Sequence, residues 1–327
     1  MRLTMIGLTL SASLPVHAQD RPVLDVYTYD SFVAEWGPGP ALEQAFEAQC
    51  ACDLRFTAIG DGAAMLARLR LEGARTKADV VVGLDTALMA EAGATGLFAP
   101  SGIGNVDWAL PVDWTDDTFV PYDWGWFAFV HDRDFDPPAS FRDLAQSDAS
   151  ILIQDPRSST PGLGLLLWVK AAYGDEAPDI WEGLADNIVT VTKGWSEAYG
   201  LFLEGEADMV LSYSTSPAYH LIAEGDDSRA AAAFDEGHYL QVEIAAALAG
   251  SDRPDLARDF LRFLTTDAAQ GVLPTTNWMY PAVMPEQGLP DGFASLPKPD
   301  RTLEIPAEDV PAIRDQALQE WLSALAR

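Results

Sequence analysis

The chain of 327 residues carries 50 Asp and Glu against 20 Lys and Arg, a formal net charge of −30, and 48% of its residues are hydrophobic. The hydrophobic fraction is too high for a disordered acidic chain. The negative charge excludes an ordinary nucleic-acid binder, which needs clustered Lys and Arg to neutralise phosphates. At about 100–200 residues per domain, the length indicates two domains or one large α/β unit.

The N-terminus has the pattern of a secretory signal peptide. Arg2 gives a positively charged start, an apolar stretch interrupted by Pro15 follows over residues 5–16, and a small-residue cleavage site ends at Ala18. A membrane anchor is the alternative, but the apolar stretch is shorter than the roughly 20 residues that a spanning helix needs. We therefore expect cleavage near Ala18 and export of the remaining chain.

Cys50 and Cys52 are the two cysteines of the chain. A disulfide between them would close only a small ring, as a local clip at a helix end. The alternative is half of a metal site, but the second Cys or His pair that zinc requires is missing. The sequence leaves the pairing of these two thiols open.

Alternating apolar runs and helical patterns begin the exported chain and predict parallel strands covered by helices on both faces. The predicted strands cover residues 23–29, 54–59 and 78–84, and the predicted helices cover residues 40–49, 62–72 and 86–92.

A second round of the same pattern predicts strands over residues 150–154, 188–191 and 207–213, with helices over residues 161–172, 197–203 and 217–223. An aromatic-rich extended stretch, residues 118–130, lies between the two rounds, and residues 237–244 form a second extended stretch. We expect them to cross from one lobe to the other and back. The fold class predicted is therefore α/β, with two lobes, each a doubly wound sheet with flanking helices, and a ligand cleft between them.

Polar residues suited to helix capping follow several predicted strands. A helix N-terminus at the carboxyl end of a strand offers free N–H groups to anions or polar ligand atoms. One such junction alone would be no more than a helix cap, but several in one α/β pattern predict a ligand cleft. The junctions are residues 60–62, 158–162, 194–197 and 214–217.

Aromatic residues gather at the same strand ends. Rings there are well placed to stack on a flat ligand ring or on a cation, although each taken alone is as well explained by packing. The aromatic residues concerned are Tyr27, Tyr29, Trp195, Tyr213, Tyr219, Trp278 and Tyr280.

Motifs of the common enzyme classes are missing. The sequence has no G-x-S-x-G, H-E-x-x-H or P-loop motif, and Gly162-Leu163-Gly164 lacks the third glycine of a dinucleotide fingerprint. The histidines beyond the signal peptide are scattered, which does not favour a catalytic triad. We expect neither catalysis nor a bound cofactor or metal.

Several strings of the sequence resemble one family closely. They are residues 27–32, 36–40, 154–157 with 159–164, 192–200 and 277–281. They resemble the periplasmic thiamine-binding proteins of thiamine ABC importers, within the type II periplasmic binding proteins, and the similarity extends from about residue 22 to the C-terminus. The resemblance implies a monomer in the periplasm that captures thiamine, and also its mono- and diphosphate, and delivers it to a membrane permease driven by a cytoplasmic ATPase. Nucleic acid is not an expected partner.

The resemblance also implies the ligand-binding residues. Asp61 and Gly62 match an Asp-Gly contact, Ser159 and Thr160 a Ser-Thr pair, and Trp195 the tryptophan of a Lys-Gly-Trp-Ser-Glu string. The segment of Tyr213, Ser214, Thr215 and Ser216 matches a Tyr-x-Thr-Ser contact, and Tyr29, Tyr219 and Trp278 match aromatic positions near the ligand rings. The chain departs from the family pattern at Gly60, where an acidic residue is expected, and at Ser214, where Thr is expected.

The expected lobe boundaries follow from the crossing segments. Lobe 1 comprises residues 19–121 and 234–280, and lobe 2 comprises residues 122–233 and 281–327. Asp61 is the one acid that we assign to the cleft, and we place most other acids on the surface, for example in residues 132–136 and 224–227.

Three alternatives stay open. A polyamine receptor would also use aromatic walls and acids, but the Ser-Thr anion seat argues against it. A ferric-ion receptor would need adjacent tyrosines, and the sequence has no Tyr-Tyr pair. A secreted hydrolase is the alternative from another functional class.

Overall fold

The computed structural model of the chain describes residues 21–326, so the predicted signal peptide, residues 1–18, lies outside the described residues. The strands are β1 (Val23–Thr28), β2 (Asp53–Ala58), β3 (Val80–Asp85), β4 (Val120–Asp132), β5 (Ile151–Gln154), β6 (Ile188–Thr192), β7 (Met209–Tyr213), β8 (Arg229–Ala231), β9 (His238–Ala247), β10 (Tyr280–Pro281) and β11 (Thr302–Leu303). The α-helices are α1 (Gly39–Cys50), α2 (Gly62–Glu72), α3 (Thr86–Ala94), α4 (Phe141–Leu144), α5 (Thr160–Tyr173), α6 (Ala177–Leu184), α7 (Trp195–Leu203), α8 (Pro217–Tyr219), α9 (Pro254–Leu264), α10 (Asp267–Gln270), α11 (Leu273–Thr276) and α12 (Val310–Leu325).

Each half of the chain forms a parallel sheet with helices between its strands. In the first half β1 pairs in parallel with β2 and with β3, and in the second half β5 pairs in parallel with β6 and with β7. All six residues of β3 are buried, as its nearly continuous apolar sequence predicts for a strand covered on both faces.

Two long antiparallel strands join the halves. The first part of β4, as far as Trp126, pairs with β9, whereas the second part, residues 127–131, pairs with β7. Strand β9 also pairs with β3, so one continuous order, β2-β1-β3-β9-β4-β7-β5-β6, runs through both lobes. The predicted crossing segments are therefore strands. The lobe boundaries stay a prediction, because β4 belongs to the sheets of both lobes.

The C-terminal third contains helices that the sequence patterns above did not predict. Helix α9 packs Phe260 and Phe263 against Phe46 of α1, with ring centroids 5.1 and 5.2 Å apart. Helix α12 lies on the second lobe, where the Lys170 ammonium of α5 donates to Glu320 Oε1 of α12 at 2.8 Å. The C-terminal helix also contacts the first half of the chain, because its Arg314 pairs with Glu91 of α3.

The structure joins Cys50 and Cys52 in a disulfide at the end of α1. Ala51 between them has a left-handed backbone conformation, with φ of 49°. The two cysteines therefore form the local disulfide, and the alternative that they are half of a metal site is wrong. Among residues 21–326, no helix has both the length and the apolar character required to cross a membrane.

Candidate functional site

A cavity of about 260 Å³ opens where the carboxyl ends of strands from both lobes meet. This is the place where open α/β sheets bind ligands, because helix N-termini and loops converge there. Among the predicted site residues, five aromatic residues line the cavity: Tyr29, Trp195, Tyr213, Tyr219 and Trp278. Three polar residues from the prediction also line it: Asp61, Thr160 and Ser216.

The other four predicted residues do not line the cavity. The Gly62 amide donates to Thr160 Oγ1 at 3.2 Å, and a Cβ at Gly62 would come within 2.8 Å of the Gly83 carbonyl oxygen. Gly62 therefore permits a close approach of backbone and side chain, as only glycine can.

Ser159, Ser214 and Thr215 are buried. Ser159 bonds to Asp61, and the Thr215 hydroxyl donates to Met279 Sδ at 3.5 Å. Ser214 Oγ has no hydrogen-bond partner among the described residues. These three side chains lie behind the cavity wall, so a role in binding would be indirect.

The aromatic wall formed by Trp195 is held rigidly. Its indole ring stacks on Tyr199 with centroids 5.0 Å apart, and its Nε1–H donates to Ser212 Oγ at 2.8 Å. Trp36, from the loop that follows β1, approaches the same ring at 6.4 Å and is 51% exposed. Trp36 therefore lies at the mouth of the cavity, across from Trp195.

On another side of the cavity, Tyr219 meets Trp278 edge to face, with ring centroids 5.4 Å apart. Trp278 has φ of 58°, a left-handed conformation that is unfavourable for a bulky residue. Strain of this kind persists where the surroundings fix it, often at ligand sites. The conformation turns the Trp278 ring into the cavity.

Asp61 connects the two lobes. It occupies the N-cap position of α2, yet its carboxylate makes no capping bond to that helix. Instead Asp61 Oδ2 accepts from the Ser159 hydroxyl at 2.7 Å and from the Trp195 backbone N–H at 3.2 Å. Burial raises the pKa of Asp61, and these two hydrogen bonds act in the opposite direction. The carboxylate thus lies where the N-termini of α2, α5 and α7 converge.

Three acids form a row across the sheet beneath the cavity. Asp85 of β3 and Asp123 of β4 are both register partners of Glu243 in β9, the strand between them. All three side chains are buried: Asp85 is 1% exposed, Asp123 is 0% exposed and Glu243 is 7% exposed. Glu243 is the member that lines the cavity. Glu243 therefore lines the cavity in addition to Asp61, the one acid assigned there from the sequence.

Glu243 is surrounded by donors. Its Oε2 accepts from the Tyr29 hydroxyl at 2.9 Å and from the Tyr122 hydroxyl, and its Oε1 accepts from Gln241 Nε2 at 3.0 Å. Burial raises the pKa of Glu243, whereas these hydrogen bonds favour its charged form.

Glu243 affects the pKa values of the neighbouring acids Asp123 and Asp85. Burial and then the charge of Glu243 raise the pKa of Asp123 well above its ordinary value. Asn277 Nδ2 donates to Asp123 Oδ2 at 2.6 Å, and Tyr29 donates to Asn277 Oδ1 at 3.1 Å. The same two causes raise the pKa of Asp85 to about 7. Of the three acids, Glu243 has the most side-chain hydrogen-bond donors and lines the cavity, so the hydrogen bonds favour negative charge at that position.

Residues missed by the sequence reasoning could have been noticed in part. Trp36, Tyr199 and Asn277 lie inside strings already singled out by the family resemblance. Asp123 and Glu243 interrupt two otherwise apolar and aromatic crossing segments. A buried acid in such a strand is unusual unless it is paired, and that was the available signal.

Comparisons with known proteins agree with this arrangement. Residues 32–271 match the family model described as bacterial extracellular solute-binding protein. Thiamine-binding periplasmic proteins of Salmonella typhimurium and Brucella suis are 54% and 51% identical to the chain, covering 98% and 95% of it and 98% and 94% of their own lengths. A solved structure titled periplasmic thiamin binding protein matches with a TM-score of 0.92 and 53% identity, over 98% of this chain and 100% of that one.

A ferric binding protein from Campylobacter jejuni also matches, with a TM-score of 0.74 and 17% identity over 92% of this chain and 99% of that one. At that identity the likeness shows the fold alone. The predicted two-lobe fold of periplasmic binding proteins is thereby confirmed, as is the resemblance on which the site residues were assigned.

Proposed function

Because this chain belongs to the bacterial extracellular solute-binding proteins, we propose that it captures thiamine in the cavity between its lobes and delivers it to an ABC importer in the membrane. The observation that carries this proposal is the relatives' shared name, thiamine-binding periplasmic protein, at more than half identity over nearly the whole chain. The chain is a binding protein and not an enzyme, and thiamine is its ligand and not a cofactor.

The chemistry of the cavity supports thiamine as the ligand. Thiamine combines a flat aminopyrimidine with a cationic thiazolium ring, and both suit stacking between aromatic faces. Trp195 and Trp278 supply such faces on different sides of the cavity. Glu243 supplies a negative charge near the tyrosines of its floor.

Phosphate esters of thiamine are part of the proposal. The N-termini of α2, α5 and α7 converge around Asp61, and a phosphate is well held by free N–H groups and hydroxyls at such ends. The Asp61 carboxylate already occupies this place and repels a phosphate while it is charged. We therefore propose that the esters bind less tightly than thiamine unless Asp61 is protonated or displaced.

The protein acts in the periplasm, as its relatives do, with an ABC transporter as its partner. We propose further that cleavage occurs near Ala18, that the exported chain is a monomer, and that the permease recognises the closed form. Closure of two lobes around a ligand is the usual motion of this architecture. The hydrogen bonds of Asp61 to Ser159 and Trp195 support a closed form held partly by the protein itself.

A titration tests the proposal. Tryptophan fluorescence of the purified exported chain is recorded with thiamine, thiamine monophosphate, thiamine diphosphate, spermidine and ferric ion. Saturable quenching by thiamine at the lowest concentration is expected, since Trp36 and Trp195 lie at the cavity mouth. Tighter binding of spermidine or of ferric ion than of thiamine would contradict the proposal and identify the protein as a polyamine or ferric-ion receptor instead.

A further inference from the structure

The carboxylate of Glu243 has no cationic partner in the protein. Among residues 21–326, the ion pairs of the structure include none with Glu243, Asp123 or Asp85. A buried charge is strongly unfavourable unless it is paired and hydrogen-bonded. The donors Tyr29, Tyr122 and Gln241 supply hydrogen bonds but no positive charge.

The hydrogen-bond donors around Glu243 favour its charged form, against the effect of burial. Asp123 is fully buried, and its Oδ1 has no other hydrogen-bond partner among the described residues. As the protonated member of the pair, Asp123 can donate its own O–H to Glu243, its register partner across β4 and β9. Two like acids in contact cannot both ionise easily, so the pair shares one proton. Within residues 21–326, Glu243 accepts from three donors and Asp123 only from Asn277, so the hydrogen bonds favour the charge on Glu243 and the proton on Asp123.

Glu243 is also placed to meet a ligand. It lines the cavity together with Tyr29, Tyr213 and Trp278, the rings on which a flat cation would stack. A carboxylate below an aromatic wall offers a cation both a counter-charge and a ring face. Asp61, the acid expected from the sequence, already has two hydrogen bonds from lobe 2 and occupies a different wall.

We propose that Glu243 is the residue that selects the positive charge of the ligand, with Asp123 as the positioning residue that keeps Glu243 ionised. The inference rests on the proposed function, because it names the group that distinguishes thiamine from a neutral molecule of the same shape. The thiazolium cation completes the ion pair that the protein leaves open. An empty cavity leaves this charge unpaired, so ligand capture removes an unfavourable feature of the unliganded protein.

The test compares a cation with its neutral isostere. Wild-type protein and Glu243→Gln are titrated by calorimetry with thiamine and with deazathiamine, in which a neutral thiophene replaces the thiazolium ring. Glu243→Gln should lower thiamine affinity at least tenfold and change deazathiamine affinity less than threefold. Asp79→Asn is the matched control, because Asp79 is also a buried acid but accepts bonds from Asp25 N and Ser251 Oγ, at the opposite end of β3 from the cavity.

Each outcome supports or overturns the role proposed for Glu243. Equal losses for both ligands would make Glu243 a merely structural residue and overturn the inference, and so would unchanged affinity for both. Thermal unfolding of each variant shows whether Glu243→Gln is folded, and if it is not, Glu243→Asp replaces it, with a reduced thiamine-to-deazathiamine preference expected because the carboxylate is withdrawn. If the wild-type protein fails to bind thiamine at all, the proposed function fails, which is a separate result.

Discussion

The hydrogen bond between Ser159 and Asp61 should stabilise the closed form of the two lobes, and this can be measured directly. The Ser159 hydroxyl is fully buried and donates to Asp61 Oδ2 at 2.7 Å, a short charge-assisted contact. A hydrogen bond to a charged group contributes about 1.5–3 kcal/mol. Asp61 also accepts from the Trp195 backbone N–H at 3.2 Å, so its carboxylate holds two segments of lobe 2 at once.

The perturbation is a double-mutant cycle of Asp61→Asn and Ser159→Ala. Asp61→Asn keeps one acceptor oxygen but loses the charge, so we expect a loss of about 1.5–3 kcal/mol in thiamine binding, or roughly 10- to 150-fold in affinity. Ser159→Ala should lose a similar amount. Because both changes act on the same contact, which Asp61→Asn weakens and Ser159→Ala removes, the double variant should lose clearly less than the sum, with a coupling energy of about 1–2 kcal/mol.

Calorimetric titration with thiamine gives the three differences, and small-angle scattering of each unliganded variant reports lobe closure. The Asp61→Asn variant should have a larger radius of gyration than the wild-type protein without ligand. A coupling energy below about 0.3 kcal/mol would show that the two side chains act independently and would refute the reasoning. If the wild-type protein is fully open without ligand, the Ser159–Asp61 hydrogen bond does not stabilise a closed form in the unliganded protein, and that part of the prediction is refuted.

Three further predictions follow from other contacts. Trp195→Ala should weaken thiamine binding by at least about 1.5 kcal/mol by calorimetry, since it removes a ring held against Tyr199; a smaller loss would contradict the role of this wall. Asp61→Asn should shift the ratio of thiamine monophosphate to thiamine affinity at least threefold toward the phosphate, because it removes a negative charge; an unchanged ratio would show that the phosphate lies elsewhere. Asp85 has its folded-state pKa raised to about 7, so the folded state binds the extra proton between about pH 4 and 7, and the contribution of Asp85 to stability falls as pH rises through that range. Asp85→Asn, which can still accept from the Leu88 amide, should be more stable than wild type by about 1–3 kcal/mol at pH 8 and nearly equal at pH 4 in urea unfolding; a pH-independent difference would contradict it.

The sequence by itself determined the local elements and the kind of site. Apolar periodicity predicted the parallel strands of both lobes and the helices that follow them to within a few residues, because each element buries one face or both faces; it missed α4, α6 and β8. The family strings include Trp195 and Trp278, and the motif match added Asp61 at the junction after β2; the structure has all three lining the cavity. Helices α9 and α12 were missed, although α9 buries a regular apolar face.

Only the tertiary structure decided which of the predicted side chains point into the cavity. Ser159 and Thr160 are neighbours in the sequence, yet Thr160 lines the cavity while Ser159 lies behind it. Residue type predicts what a side chain can bond to, but the rotation of α5 against lobe 1 decides which of the two faces the ligand. Ser214 and Thr215, which follow β7, are likewise buried and do not line the cavity, whereas Tyr213 and Ser216 beside them do.

Only the tertiary structure also showed that three acids lie in a row beneath the cavity. Asp85, Asp123 and Glu243 are far apart along the chain and become neighbours only through the register of three strands, β3, β9 and β4. No local pattern contains that register, because a long antiparallel strand can pair at many offsets until the core faces fix one. The sequence therefore predicted a cleft for a flat polar ligand, whereas the tertiary structure decided which of the many acids lie beside it.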